Sequence, residues 1–327
     1  MCATLPVRYP ARIVIDWGYV GRALRHFAPP VLFVSVAVRG LFGDIVLGTF
    51  GVDARTYYAG LQAFRDGLDP WSAAVIGSDG RVFHFAGAPT TLVAMLPMVP
   101  LGEQAFTAAW IAASIVAALY IVRRAGLPWW WLAFPPLVEG VAHGNPGIVL
   151  IALVLVGRPW TGALAAALKI YALLPLLGQR DWRSISLFGV ATACTVLIWP
   201  DLWRGYVSSL PSITARLVAE TSGGLAATAV PWLVPATLAA LVWIAWRDTR
   251  AAGWLATPAL WPGSQFHYGA MALPVATVLL GVIMALPIPG APAVAVVAYA
   301  IFGSRSSAQF REARARAVAS ERAAPLA

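Results

Sequence analysis

Of 327 residues, 60% are hydrophobic and only 11% are charged, with 15 Trp among them, which excludes a single water-soluble globule and indicates a polytopic membrane protein. The net charge of +9 is spread as arginines over short loops and tails, so it reads as membrane orientation and not as a nucleic-acid surface. Two cysteines, Cys2 and Cys194, exclude a disulfide framework, and 25 Pro with 29 Gly predict broken helices around a cavity in place of plain spanning rods.

Residues 1–29 are expected to be a cytoplasmic segment, held there by Arg8, Arg12, Arg22 and Arg25, with no cleavable signal peptide. The first span is read over 30–49, and its Arg39 and Asp44 should face protein. Directly after it, Tyr57, Tyr58, Leu61, Phe64 and Leu68 recur at helical spacing, predicting a short amphipathic helix over 53–66 that lies on the membrane surface by its aromatic face. Asp53 then has two readings, an N-cap of that helix or a general base at the membrane boundary.

Residues 90–101, with Pro97 and Pro100, read as a re-entrant piece, and 104–122 as a full span ending at Arg123 and Arg124. The run 128–141 opens on Trp129-Trp130-Trp131, an interfacial anchor, and ends at Glu139-Gly140-Val141-Ala142-His143-Gly144-Asn145-Pro146. After 148–156, the apolar run 160–178 is interrupted by Lys169 and Pro175. Two half-helices meeting near Lys169 put that ammonium on the outer face and leave Arg180 and Arg183 inside. Residues 186–198 run outward, 202–224 read as an external polar segment, and 225–246 return. A broken piece at 254–262 leads to His267, and 270–286 and 291–302 complete one membrane domain over 30–303. The tail 304–327 carries Arg305, Arg311, Arg314, Arg316 and Arg322 and reads as a cytoplasmic amphipathic helix, although counting spans from His267 puts it outside unless one of the last two segments fails to cross.

This path brings Asp53, His84, His143, Lys169 and His267 to one outer face; of the four histidines only His26 falls elsewhere. Imidazoles and an ammonium around one carboxylate suit an anion, with a phosphate on the cations and the carboxylate free to take a proton. Three His and an Asp also match zinc by residue type, but the tight His-x-x-x-His spacing is missing, and no metal or other cofactor is expected. No phosphate-binding glycine loop or Asp-x-Asp pair occurs, which disfavours a nucleotide-dependent enzyme.

From about Phe50 to His267 the chain resembles the membrane glycosyltransferases of family 87, related to polyprenyl-phosphomannose-dependent mannosyltransferases, with the GT-C fold. Asp53 with Tyr57-Tyr58 looks like the family's Asp after the first helix, and Gly67-Leu68-Asp69-Pro70-Trp71 is similar to its Gly-x-Asp-Pro-Tyr turn. Phe83-His84-Phe85 with Pro89 resembles Phe-x-Tyr-x-Pro, and Gly144-Asn145 stands where the family has Gly-Gln-x-Asn. Lys169-Ile170-Tyr171 with Pro175 looks like Lys-x-Tyr-Pro, and Trp261-Pro262-Gly263-Ser264-Gln265-Phe266-His267 resembles Ser-Pro-x-Ser-x-x-His.

The resemblance implies an all-α bundle of about 9–11 transmembrane or re-entrant helices with an external amphipathic helix after the first span. It also implies an inverting transfer of mannose or another hexose from a polyprenyl-phosphate donor to an extracytoplasmic lipid or glycan acceptor. Asp53 would be the base, His267 and Lys169 would hold the donor phosphate, and Tyr57, Tyr58, Asp69, His84, His143, Asn145 and Tyr171 would be available to substrate. A lipid or solute transporter and a non-catalytic membrane partner remain the alternatives.

Overall fold

The structure is a computed structural model that describes residues 17–78, 80–220 and 224–303; Cys2, Arg8, Arg12, Asp79 and the tail at 304–327 lie outside the described residues. The described chain is helical almost throughout. Helix α1 (Trp17–Val46) leads through a tight turn into α2 (Val52–Arg65) and then a two-stranded antiparallel hairpin, β1 (Ala74–Ile76) and β2 (Val82–His84), in the register Ala74 to His84. Helices α3 (Pro89–Met95) and α4 (Gly102–Ala125) are joined by a 3-10 turn, and α5 (Pro135–Ala142) and α6 (Pro146–Val156) by three residues. Next come α7 (Pro159–Leu168), α8 (Leu173–Gly178), α9 (Trp182–Ile198) and α10 (Pro200–Glu220). The last four are α11 (Val234–Arg247), α12 (Thr249–Leu260), α13 (Val278–Met284) and α14 (Ala291–Ala298).

Proline does more starting than breaking in this chain. It stands in the first turn of α3, α5, α6 and α7, where its missing N–H leaves no hydrogen bond unmade. The result is a set of short helices that change direction at their prolines and place loop residues at the turning points.

Two helical stretches, His26–Val46 and Pro89–Ala125, are long and apolar enough to cross a membrane. Up to four qualify if two bent pairs each count as one span: Pro135–Ala142 with Pro146–Val156, bent by 113°, and Trp182–Ile198 with Pro200–Ala219, bent by 105°. Many outward-facing residues are large and apolar, among them Phe42, Val116, Leu197 and Trp246. This is the surface expected of an all-α chain that meets lipid.

The core has two parts. The larger is built on Phe33, Trp131, Phe134, Leu137, Ile148, Trp254 and Met271, and the smaller packs Tyr57, Tyr58, Leu61, Trp71, Phe85, Phe106 and Trp110 under α2. The polar residues taken up below sit where the two parts meet.

Several expectations change on the structure. The aromatic face of α2 is buried against protein, with Tyr57 edge-on to Phe85 and Tyr58 against Phe106, and only Leu68 beyond its end is strongly exposed. Residues 90–101 and 104–122 belong to one nearly continuous helical stretch, not a re-entrant piece followed by a separate span. Residues 202–220, read as a polar segment, form most of α10, and its hydroxyls fold back on the helix: Ser208 donates to the Gly205 carbonyl, Ser212 to Ser209 and Thr214 to Leu210.

Candidate active site

Asp53 is not the N-cap of α2. Gly51 stands there with φ 70°, in the left-handed region, and Asp53 follows inside the first turn, where the helix dipole favours its charge. The free amides of that turn are taken up by the end of another helix. Gly51 N–H donates to the Ala142 carbonyl at 2.8 Å, and the Asp53 and Ala54 amides donate to the His143 carbonyl at 3.1 and 3.2 Å. Helix α2 is therefore docked end-on to α5, which fixes Asp53 relative to the turn 143–145.

That docking depends on Gly144. Its φ is 65°, and a Cβ there would stand 2.9 Å from the Ala54 Cβ, so only glycine permits both the turn and the approach. Asn145 then serves two neighbours at once. Its side-chain oxygen accepts from Gly147 N–H at 2.7 Å, capping α6, and its amide donates to Asp53 Oδ2 at 2.6 Å. One carboxylate oxygen is thus held, which leaves Oδ1 for a ligand.

His143 is anchored from the far side. Its Nε2 lies 3.0 Å from Asp44 Oδ1 near the end of α1, and that same oxygen accepts from the Thr49 hydroxyl at 2.9 Å. Of the two charges expected to face protein from the first span, Arg39 is instead exposed, whereas Asp44 is half-buried and orients an imidazole of the cluster. His267 approaches His143 edge-on, with ring centroids 6.3 Å apart, and stacks on Tyr268 at 4.9 Å.

Lys169 lies at a helix break, as its position in the sequence suggests. Helix α7 ends at Leu168 and Lys169 is extended, with φ −150°. The carbonyls released by the break are claimed by α3: Thr91 donates to Ala167 and Leu168 at 2.9 and 3.1 Å, and Thr90 to Ala167 at 3.3 Å. The Lys169 ammonium sits among three phenol rings, 5.8 Å from the centroid of Tyr57, 5.7 Å from Tyr171 and 5.4 Å from Tyr268, a cation–π cage that satisfies the charge without an acid at hydrogen-bond distance.

The electrostatics follow from burial. Burial works to raise the Asp53 carboxyl, but His267, His143 and Lys169 and the Asn145 hydrogen bond outweigh it and hold the carboxyl below its usual range. Burial drives the His267 imidazole down to about 3, so it is neutral at pH 7 and gives Asp53 no net charge. Of the influences that lower Asp53, those of Lys169, His143 and Asn145 do not depend on a charge on His267. His267 is only 3% exposed, yet neither ring nitrogen has a hydrogen-bond partner among the described residues. Glu139 Oε2 next to this cluster is likewise buried without one. Orphaned buried polar atoms are costly and call for a ligand.

Asp53, His143, Asn145, Lys169, Tyr57, Tyr171 and His267 thus come together. The other expected residues do not join them. The Asp69 carboxylate accepts from Trp71 N–H at 3.1 Å and shapes its own turn, and Tyr58 donates its hydroxyl to the Val99 carbonyl. His84 ends β2 opposite Ala74 and is not among the groups acting on Asp53. Asp44, Glu139 and Tyr268 enter the site without having been singled out for it. Tyr268 adjoins His267 in sequence, whereas Asp44 lies 99 residues from His143 and no local pattern links them.

Cavity size points elsewhere. Spaces of about 840 and 850 Å³ open at the far ends of α4 and α6 and beside α11, neither lined by Asp53 or His267. The unpartnered imidazole is the better guide to chemistry, because a buried polar atom without a hydrogen bond is costly until a ligand meets it. No protein-family model, curated protein or solved structure matches the chain.

Proposed function

We propose that the chain is a multi-pass membrane glycosyltransferase that moves mannose or another hexose from a polyprenyl-phosphate donor to a lipid or glycan acceptor on the extracytoplasmic side. The observation that carries this reading is a half-buried, ionised Asp53 beside a buried His267 that has no hydrogen-bond partner among the described residues, and a caged Lys169 cation. A carboxylate that remains charged without an acid–base partner of its own is ready to take a proton. An orphaned imidazole and an ammonium beside it are ready to take an anion.

In the reaction, Asp53 Oδ1 accepts the proton of the acceptor hydroxyl while that oxygen attacks the anomeric carbon. The bond from the anomeric carbon to the donor phosphate oxygen breaks on the opposite face, which inverts the centre in one displacement. Polyprenyl phosphate leaves with the electron pair, its charge met by the Lys169 ammonium and by the N–H of His267. The proton on Asp53 then passes to solvent. Asn145 and the end-on docking of α2 are positioning devices, since they fix Asp53 without touching substrate.

The test is transfer from a polyprenyl-phosphohexose in proteoliposomes. The wild-type protein should yield product of inverted anomeric configuration, and Asp53→Asn should lose about 10²–10⁴-fold in rate. Wild-type rates from Asp53→Asn would remove the base. A solute or lipid transporter is the second reading, favoured by the broken helices that meet at the cluster; flux of an intact substrate that survives Asp53→Asn would decide for it.

A further inference from the structure

We propose that the same pocket takes a zinc-class divalent cation on Asp53, His143 and His267, and that the bound ion silences the Asp53 base. The second half rests on the transferase reading; the first stands on geometry alone. One ligand atom from each of the three residues lies within 4.8 Å of the others, although they come from α2, the α5–α6 turn and the segment after α12.

Three further features suit a metal. His143 is held through Nε2 by Asp44, the carboxylate–imidazole pairing that orients a ligating histidine and leaves its other nitrogen for the ion. Asp53 is held through Oδ2 by Asn145, which leaves its other oxygen. His267 has no hydrogen-bond partner on either nitrogen among the described residues, so it can turn into a coordination sphere without breaking one of their hydrogen bonds. A tetrahedral zinc with ligands at about 2.0–2.2 Å needs its donors roughly 3.4 Å apart, so the three, all within 4.8 Å, need close by no more than about 1.4 Å, and His267 is the group free to move. Two imidazoles with one carboxylate favour zinc or cobalt over magnesium or calcium, which prefer oxygen alone.

The wider setting agrees in charge. Asp44, Asp53 and Glu139 all lie around this point, against the Lys169 ammonium, which is drawn off into its tyrosine cage, and the His143 imidazole, which gives up its proton when it ligates. With three protein ligands a fourth position stays open to water or to a phosphate oxygen. An ion there holds the lone pair that Asp53 would offer to the acceptor proton, so metal occupancy and base catalysis exclude each other.

The experiment uses the full chain, purified in detergent without a histidine tag and freed of metal with a chelator. Cobalt is titrated in and read by its visible absorption, with zinc competition to give affinity and elemental analysis to give stoichiometry. The expected result is one ion per chain, lost in Asp53→Asn, His143→Gln and His267→Gln, weakened about 10–100-fold in Asp44→Asn, and unchanged in His26→Gln. Folding of each variant is checked by elution profile, and the wild type against His26→Gln remains informative if the others aggregate. Failure of the wild type to bind, or binding that His143→Gln and His267→Gln leave intact, overturns the site. In the transfer assay zinc should stop the wild type and chelator restore it; transfer indifferent to bound zinc overturns the inhibitory half. Metal binding by a chain that transfers no sugar would count against the transferase reading and leave the site standing.

Discussion

Two regions at opposite ends of the same helices show what separates a site from a space. Helices α4 and α6 run from the Asp53 pocket, beside Trp110 and Asn145, to a cavity of about 840 Å³ lined by Arg124, Trp130, Val156, Gln179, Asp248 and Arg250. Arg124 stands fourteen positions after Trp110 on α4, about 21 Å along at the helical rise. In the cavity, polar groups have structural work: Asp248 accepts from Ala251 N–H at 3.0 Å to cap α12, and Gln179 donates to the Pro175 carbonyl at 3.1 Å. In the Asp53 pocket, by contrast, His267 and Glu139 keep buried polar atoms with no hydrogen-bond partner among the described residues. The difference teaches that unspent hydrogen-bonding capacity, not emptiness, marks where a ligand belongs.

That contrast can be broken most forcefully at Asp53. Asp53→Asn should cost about 10²–10⁴-fold in transfer while the melting temperature stays near wild type, since an amide still fits beside Asn145; a rate unchanged within a factor of two would erase the pocket's claim to chemistry. Next in size is Gly144→Ala. A left-handed backbone at a residue with a Cβ costs about 1–2 kcal/mol before the contact with Ala54 is counted, so both stability and transfer should fall. Retention of both would mean that α2 need not dock end-on.

The two regions should respond oppositely to loss of a polar group. His267→Leu removes an imidazole that makes no hydrogen bond, so thermal unfolding should occur no lower than in wild type even as transfer falls. Asp248→Ala removes a cap and should cost about 0.5–2 kcal/mol of stability with transfer per folded molecule intact. A reversal of that pattern would show the assignment of roles to be backward.

The smallest effect is a shift in pH profile. Asp53 is held below the usual carboxylate range partly by Lys169, so removing that cation in Lys169→Met leaves burial less opposed and raises the carboxyl. Because the base works only when ionised, the acid limb of the rate profile, recorded in chelated buffer, should move to higher pH in this variant. A limb that stays in place would separate Lys169 from Asp53.

The sequence carried more of the site than of the packing. A lysine between apolar half-helices and a Gly-Asn-Pro turn are breaks in hydrophobic runs, and the structure puts both breaks at the pocket, with Lys169 extended and Asn145 capping α6. The end-on docking of α2 to α5 was not legible, because backbone N–H and C=O groups bond alike whatever the side chain. Nor was the buried aromatic face of α2, since Tyr57, Tyr58 and Leu61 give the same spacing whether lipid or protein covers them. Asp69, Tyr58 and His84 were grouped with the site by residue type and nearness in sequence. Their hydrogen bonds or strand pairing serve the turn, the α2 packing and the hairpin instead.

The central claim is that the donor phosphate sits on His267 and Lys169. Its most direct test is the affinity of polyprenyl phosphate for the chain in lipid nanodiscs, compared among wild type, His267→Leu with Lys169→Met, and Asp248→Ala. Loss of two charge-assisted contacts should weaken binding by at least about tenfold in the double variant and leave Asp248→Ala at the wild-type value. Equal affinity in the double variant and the wild type would contradict the account.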